Sequence, residues 1–192
     1  FDLRRMGAEE VRDGILAVSG RLRSKMGGPG VYPNIPDAYL AGQSVPGLGW
    51  GDSPEEDADR RSVYVHVKRS LPLPILASFD LADADFTCPV RFATTQPTQA
   101  LSTLNGEFLN EEAAHLAVRL KSECGDDLGA RVRRGLALVT GRQPTAEEIA
   151  RGASYVEAAQ REDGLAPEKA FELYCLLLLN LKFRCSHAEQ RV

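Results

Sequence analysis

PEKAFELYCLLLLNL, residues 167–181, is the stretch that decides how this chain folds. Pro167 suits a first helical turn, because its missing N–H is one that a helix start leaves unpaired anyway. Phe171, Tyr174, Leu178 and Leu181 then fall on one side at helical spacing. From Leu173 to Leu179 every residue is apolar, so the apolar surface runs right round the rod. Such a helix needs cover on all sides. The pattern predicts a central helix with other helices closing over it, the alternative being cover by a partner or by other segments of the parent protein, followed by a polar, frayed tail over residues 184–192.

Working back toward the N-terminus, the covering helices declare themselves. Thr145, with Glu148 three residues on, forms a capping box that starts a helix carrying Ile149, Ala153 and Val156. Val132, Leu136 and Val139 mark another, closed by Gly141. Asn110 reads as the N-cap of a third, with Glu111 and Glu112 in its first turn and Leu116 and Leu120 on its inner face. Thr98–Asn105 reads as a short helix broken at Gly106. At the other end Val11, Ile15, Val18 and Leu22 form one stripe, predicting a helix over Ala8–Arg23 that Gly27, Gly28 and Pro29 stop.

Between these ends the pattern fails. Residues 27–59 are rich in Gly, Pro, Asp and Ser and hold no period, which predicts a long loop. The only tryptophan, Trp50, lies in it and is expected to pin it to the core, the alternative being a stacking platform for a sugar. Val63, Val65 and Val67 alternate with polar residues as in a half-buried strand, although a short helix also fits. Leu71-Pro72-Leu73-Pro74 then forces extended backbone, with a helical turn after Pro74. The fold class is thus mainly α: an irregular helical bundle with a long Gly/Pro-rich loop and at most a small β element.

Composition bounds the function. The 192 residues are 43% hydrophobic and 26% charged, enough to bury a core within a single domain over residues 1–192. The net charge of −4 argues against nucleic acid, whose phosphates call for a clustered basic surplus. No apolar run nears the roughly 20 residues that span a bilayer, so no membrane span is expected. The chain starts at Phe1 without an initiator Met or a signal-like segment, and reads as a piece of a larger multidomain protein.

Familiar chemistries lack their motifs. Cys88, Cys124, Cys175 and Cys185 are scattered, with no C-x-x-C pair and no following His, so neither a zinc ribbon nor haem attachment is supported. His66, His115 and His187 have no ligand spacing, and there is no nucleophile elbow or phosphate loop. No cofactor and no metal are expected, and the chain leans away from being an enzyme. The chemistry-bearing candidates are Arg60, Arg61, Arg69 and Arg91, which flank a turn with Asp80, Asp83 and Asp85. A guanidinium is a rigid fork of donors that holds several carbonyls or a carboxylate at once. The leading reading is that these groups staple the Pro-rich segment to the helices. The rival is a cleft for a polyanionic polysaccharide, lined by the same residues and Trp50. The Asp turn alone fits N–H capping better than a calcium loop.

Taken together these residues resemble a known family. The resemblance rests on Arg4-Arg5, Ala8-Glu-Glu with Arg12-Asp13, Leu16 to Gly20, Met26 to Pro29, Arg60 to Tyr64, Arg69 to Pro74, Phe79-Asp80, Cys88-Pro89, Thr95 to Asn105 and Gly141 to Thr145 with Glu147-Glu148. The chain is similar to the C-terminal part of a domain of unknown function found in large secreted planctomycete proteins, often after cytochrome c-like modules. It departs from the family in reading Asn180-Leu-Lys-Phe183 after the leucine run. The resemblance implies a secreted or periplasmic setting. The partners it implies are other domains of the parent protein, including cytochrome c-like modules that would carry any haem. It supplies no catalytic residues. The expected role is a non-catalytic structural or interaction domain, with redox docking through an acidic face as a further possibility.

Overall fold

The structure is a computed structural model that describes residues 6–41, 45–82, 94 and 96–188. Among these the elements are α1 (Ala8–Ser19), α2 (Asp37–Leu40), α3 (Glu55–Ala58), a 3-10 turn η1 (Ser62–Tyr64), α4 (Pro74–Ser78), α5 (Pro97–Asn105), α6 (Glu107–Cys124), α7 (Leu128–Thr140), α8 (Ala146–Glu162) and α9 (Pro167–Ala188). The described residues form no strand; two isolated parallel bridges, Arg23 with Arg60 and Val31 with Val65, are the β content. The protein is mainly α. The chain divides into two compact units, one built chiefly on Thr103–Val192 and the other on Arg5–Ala17 with Arg21–Ser102.

In the C-terminal unit α9 packs against α6, α7 and α8. Ala170, Phe171, Tyr174, Cys175, Leu176, Leu178 and Leu179 are buried there, as are Leu109, Leu116 and Leu120 of α6 and Val132, Leu136 and Val139 of α7. The central helix is present, but it is not covered on every side. Leu173 and Leu177 are half-buried and Leu181 is exposed, at a four-residue spacing that marks the side away from the three neighbours. The helix also continues to Ala188, since no Gly or Pro interrupts the residues after Asn180.

Two glycines let these helices approach closely. A Cβ at Gly135 of α7 would sit 2.7 Å from Leu178 Cδ1. One at Gly152 of α8 would sit 2.5 Å from the Tyr174 hydroxyl and 2.7 Å from Val132 Cγ1. The capping box at Thr145 and Glu148 forms as the sequence predicts, and Asp127 caps α7 through Ala130 N. Gly141 closes α7 in the left-handed region, at φ 71°.

Two helix boundaries differ from the sequence pattern. Helix α6 begins at Glu107, one turn before Asn110, because Gly106 takes the extended N-cap conformation. Asn110 is instead inside the helix, where its Nδ2 donates to the Gly106 carbonyl at 2.9 Å. Helix α1 stops at Ser19 rather than running to Arg23. Gly20, at φ 87°, turns the chain, and Arg21 N then donates 2.9 Å to Leu16 O, the six-residue closure that glycine-ended helices use. Gly27 and Gly28 lie well past the stop and serve another turn.

Candidate functional site

The N-terminal unit is organised around two buried arginines. Arg12 lies on the face of α1 that also carries Ala8, Ile15 and Leu16, and it is 1% exposed. Its Nη1 donates to Arg60 O at 3.0 Å and to Ser62 Oγ at 3.2 Å, and its Nη2 donates to Ala58 O at 2.8 Å. The next residue, Asp13, accepts from Ser62 N at 2.7 Å and faces Arg61 Nε at 3.6 Å. One turn of helix thus grips the main chain from Ala58 to Ser62.

Arg60, also 1% exposed, reaches the other way. Its Nε donates to Lys25 O at 3.2 Å, Nη1 to Pro29 O at 3.4 Å, and Nη2 to Gly27 O. The guanidinium carbon lies 4.0 Å from the Tyr64 ring centroid, and the Tyr64 hydroxyl accepts from Gly27 N at 3.0 Å. Alternate carbonyls of residues 25–29 therefore close around a built-in cation, and the left-handed Gly27 (φ 74°) and Gly28 (φ 86°) permit the curl. A buried charge needs such compensation. Above it, Arg23 to Gly30 are all exposed, with Met26 85% accessible at the crown. The loop has no core of its own and is held from beneath.

Ion pairs flank this loop. Arg21 bonds Glu55 at 2.8 Å and Asp59 at 2.7 Å, and Lys25 bonds Asp57 at 2.7 Å. An open groove of about 440 Å³ runs between the loop and α3, lined by Arg23, Ser24, Lys25, Pro54, Glu56 and Asp57. Its two cations and two carboxylates balance, so it carries no field selective for a polyanion.

Trp50 pins the irregular stretch. Its Nε1 donates to Pro33 O at 3.0 Å, and its ring meets Tyr32 edge-on at 5.6 Å and His66 at 6.1 Å. Tyr32 and His66 lie 4.9 Å apart, so the rings close on one another. The valine segment is a correction to the half-buried strand: Ser62–Tyr64 is a 3-10 turn, and of the three valines only Val65 is buried. The hydroxyl of Ser62 is claimed by Arg12, which favours the tight turn over extension.

The remaining candidates scatter. Arg61 is largely exposed beside Asp13, and Arg69 is exposed. Asp80, at φ 60°, accepts from Thr94 N at 2.8 Å and Thr94 Oγ1 at 2.7 Å, so it acts as a turn-fixing acceptor. Asp83, Asp85, Cys88 and Arg91 lie outside the described residues. The structure brings Arg60 together with Arg12, Asp13 and Ser62, which composition alone did not single out. The signal was present: an arginine on the apolar face of α1, four residues after Ala8 and three before Ile15. Among the described residues no three His, Cys, Asp or Glu side chains stand close enough to hold a metal, and no helix is long and apolar enough to cross a membrane.

Shifted titrations lie in the other unit. Arg142 and the main chain at Thr145 hold Glu148 down at about 2, and Arg119 and Arg134 lower Glu123. Burial pushes the Tyr174 hydroxyl and the Cys175 thiol up, out of their usual ranges.

An all-helical bundle joined to an irregular segment braced by buried arginines is the class of protein these features define. The chain belongs to the PSD1 family, described as a protein of unknown function (DUF1553), which matches residues 1–156. The expectation of a domain of unknown function is met. No curated protein and no solved structure matches the chain.

Proposed function

We propose that this chain is a non-catalytic interaction domain of a secreted multidomain protein, docking with neighbouring modules of cytochrome c type. The observation that carries this reading is the use of Arg60. Its Nε, Nη1 and Nη2 each donate to the protein's own main chain, at Lys25, Pro29 and Gly27, and the side chain is buried, which keeps it from a substrate. What the brace produces is a preorganised exposed loop, and a surface already ordered loses little entropy on association. The secreted setting and the cytochrome partner are supported by the sequence resemblance. The chain acts here as one domain, and its net charge of −4 supplies the acidic character that such docking uses.

The test is association of the intact chain with a purified c-type cytochrome module, followed by sedimentation at the haem absorbance. A complex that weakens steeply as salt rises supports docking through complementary charge. No association at low salt, or one indifferent to salt, overturns it. The rival, a polyanionic-polysaccharide module, requires heparin binding that Arg61→Ala and Arg69→Ala abolish. The balanced groove speaks against it.

A further inference from the structure

We propose that the groove between the Arg23–Gly30 loop and α3 binds a small zwitterion, a free amino acid or short peptide that presents both its ammonium and its carboxylate. Charge crowds this seam, and most of it is already paired. Arg21 holds Glu55 and Asp59, and Lys25 holds Asp57. Two groups that line the groove are left over: Arg23 on the loop and Glu56 on α3. Among the described residues neither side chain has a hydrogen bond, an ion pair or a ring contact. They also do not pair with each other, although opposite charges in one groove attract. The result is a gap with a guanidinium on one wall and a carboxylate on the other.

The main chain behind both walls is fixed before any ligand arrives. Arg23 N donates to Asp59 O at 3.0 Å, and Arg23 bridges Arg60 in parallel. Lys25 and Asp57, 2.7 Å apart, tie the loop to α3 along the groove. Arg60 holds the loop from beneath through the carbonyls of Lys25, Gly27 and Pro29. Preorganisation of this kind lowers the ordering cost of binding. The open volume, about 440 Å³, is within the range of small-molecule sites. A guanidinium is a fork that takes a carboxylate in two parallel bonds, and Glu56 accepts from an ammonium. Ser24, beside Arg23 in the lining, bonds nothing among the described residues and adds a hydroxyl, while Pro54 adds an apolar wall. A simple anion or cation satisfies one wall and meets like charge at the other, so the pair of walls selects for both charges on one molecule.

This site goes beyond docking and does not rest on it: a cytochrome complex that fails to form leaves the present measurement standing. The experiment titrates triglycine, glycine, N-acetyltriglycine and triglycinamide into the full isotope-labelled chain. The two zwitterions should shift the amides of Arg23 to Lys25 and of Glu56 and Asp57, with a Kd on the order of 1 mM. The tighter of the two tells peptide from single amino acid. N-acetyltriglycine lacks the ammonium and triglycinamide lacks the carboxylate, so each should bind about fivefold more weakly than triglycine. Arg23→Gln and Glu56→Gln should each weaken triglycine by about the same factor. Neither side chain takes part in the brace, so urea midpoints should stay unchanged and the loss belongs to the ligand. In Arg23→Gln, triglycine and triglycinamide should bind alike, because the carboxylate has lost its partner. In Glu56→Gln, triglycine and N-acetyltriglycine should bind alike for the same reason. No shift in the groove from either zwitterion at about ten times that concentration overturns the proposal. So does N-acetyltriglycine or triglycinamide binding as tightly as triglycine, which makes the groove a site for a single charge. Unchanged triglycine binding by both variants overturns it as well.

Discussion

Arg12 Nη1 donates a 3.0 Å hydrogen bond to the main-chain oxygen of Arg60, so one buried guanidinium fixes the residue that carries the other. The two side chains act in series. Arg12 ties helix α1 to Ala58–Ser62, and Arg60 ties that stretch to the loop at Lys25–Pro29. An irregular segment with few apolar residues cannot hold itself by burial, and a fork of charged donors is the strongest substitute.

Arg60→Met should cost about 3 kcal/mol of stability, because carbonyls that accepted charged donors are left unbonded. Arg60→Lys should recover only part, since one ammonium cannot span the Lys25, Gly27 and Pro29 carbonyls together. Urea unfolding measures the first effect. Limited trypsin digestion measures the local one: cleavage at Arg23 and Lys25 should accelerate in Arg60→Met before the C-terminal helices are cut.

Gly152→Ala tests the close packing of α8 on α9. Alanine gains up to about 1 kcal/mol of helix propensity. Its methyl must displace the Tyr174 hydroxyl at 2.5 Å and Val132 Cγ1 at 2.7 Å, and overpacking of this kind costs about 1–3 kcal/mol. Net destabilisation is expected. Adding Tyr174→Phe should return part of the loss but not all, because the Val132 contact remains, and a thermal-denaturation cycle over the four proteins reads the coupling.

The C-terminal bundle was legible because its signals are local: period, caps, and the Gly that closes α7. The leucine run showed that α9 lies among other helices, yet it overstated the cover, because a run of apolar residues does not say which side lacks a neighbour. Asn110 misled for a related reason. A good cap residue loses to a glycine one turn earlier, and the sequence does not rank them. The brace was half legible. Arg60 was visible as a stapling residue, but Arg12 was hidden inside a helix whose apolar stripe reads well without it. Its partners lie almost fifty residues away, a separation that no periodicity reports.

Glu148 gives a prediction with a definite pH window. The Arg142 guanidinium, bonding at 2.9 Å, and the Thr145 N–H at 2.8 Å hold its carboxyl at about 2 against an ordinary 4.5. A carboxyl depressed in the folded state stabilises fully above its unfolded value and loses that stabilisation as pH falls through the folded one. Gln keeps a capping-box partner but has no charge to titrate. The stability difference between the protein and Glu148→Gln should be constant above about pH 5 and vanish as pH falls from 4.5 toward 2. Urea midpoints across that range measure it, and a difference that persists at the acid end would refute the charge assignment.

Cys175 should report on the opening of α9. Its residue is fully buried, burial together with the Glu172 carboxylate raises the thiol above its usual range, and Arg131 opposes this only in part. The thiolate is the reactive form, so a buried, protonated thiol reacts only when the helix opens. Cys124, at the end of α6, is free and partly exposed. Iodoacetamide at pH 8, followed by peptide mass spectrometry, should therefore label Cys124 in the folded protein and Cys175 far more slowly. In urea the two rates should converge. Gly152→Ala should raise the native rate at Cys175 more than at Cys124, because the strained Tyr174 is its neighbour in α9. Equal native rates at the two thiols would mean that α9 is not the buried centre of its unit.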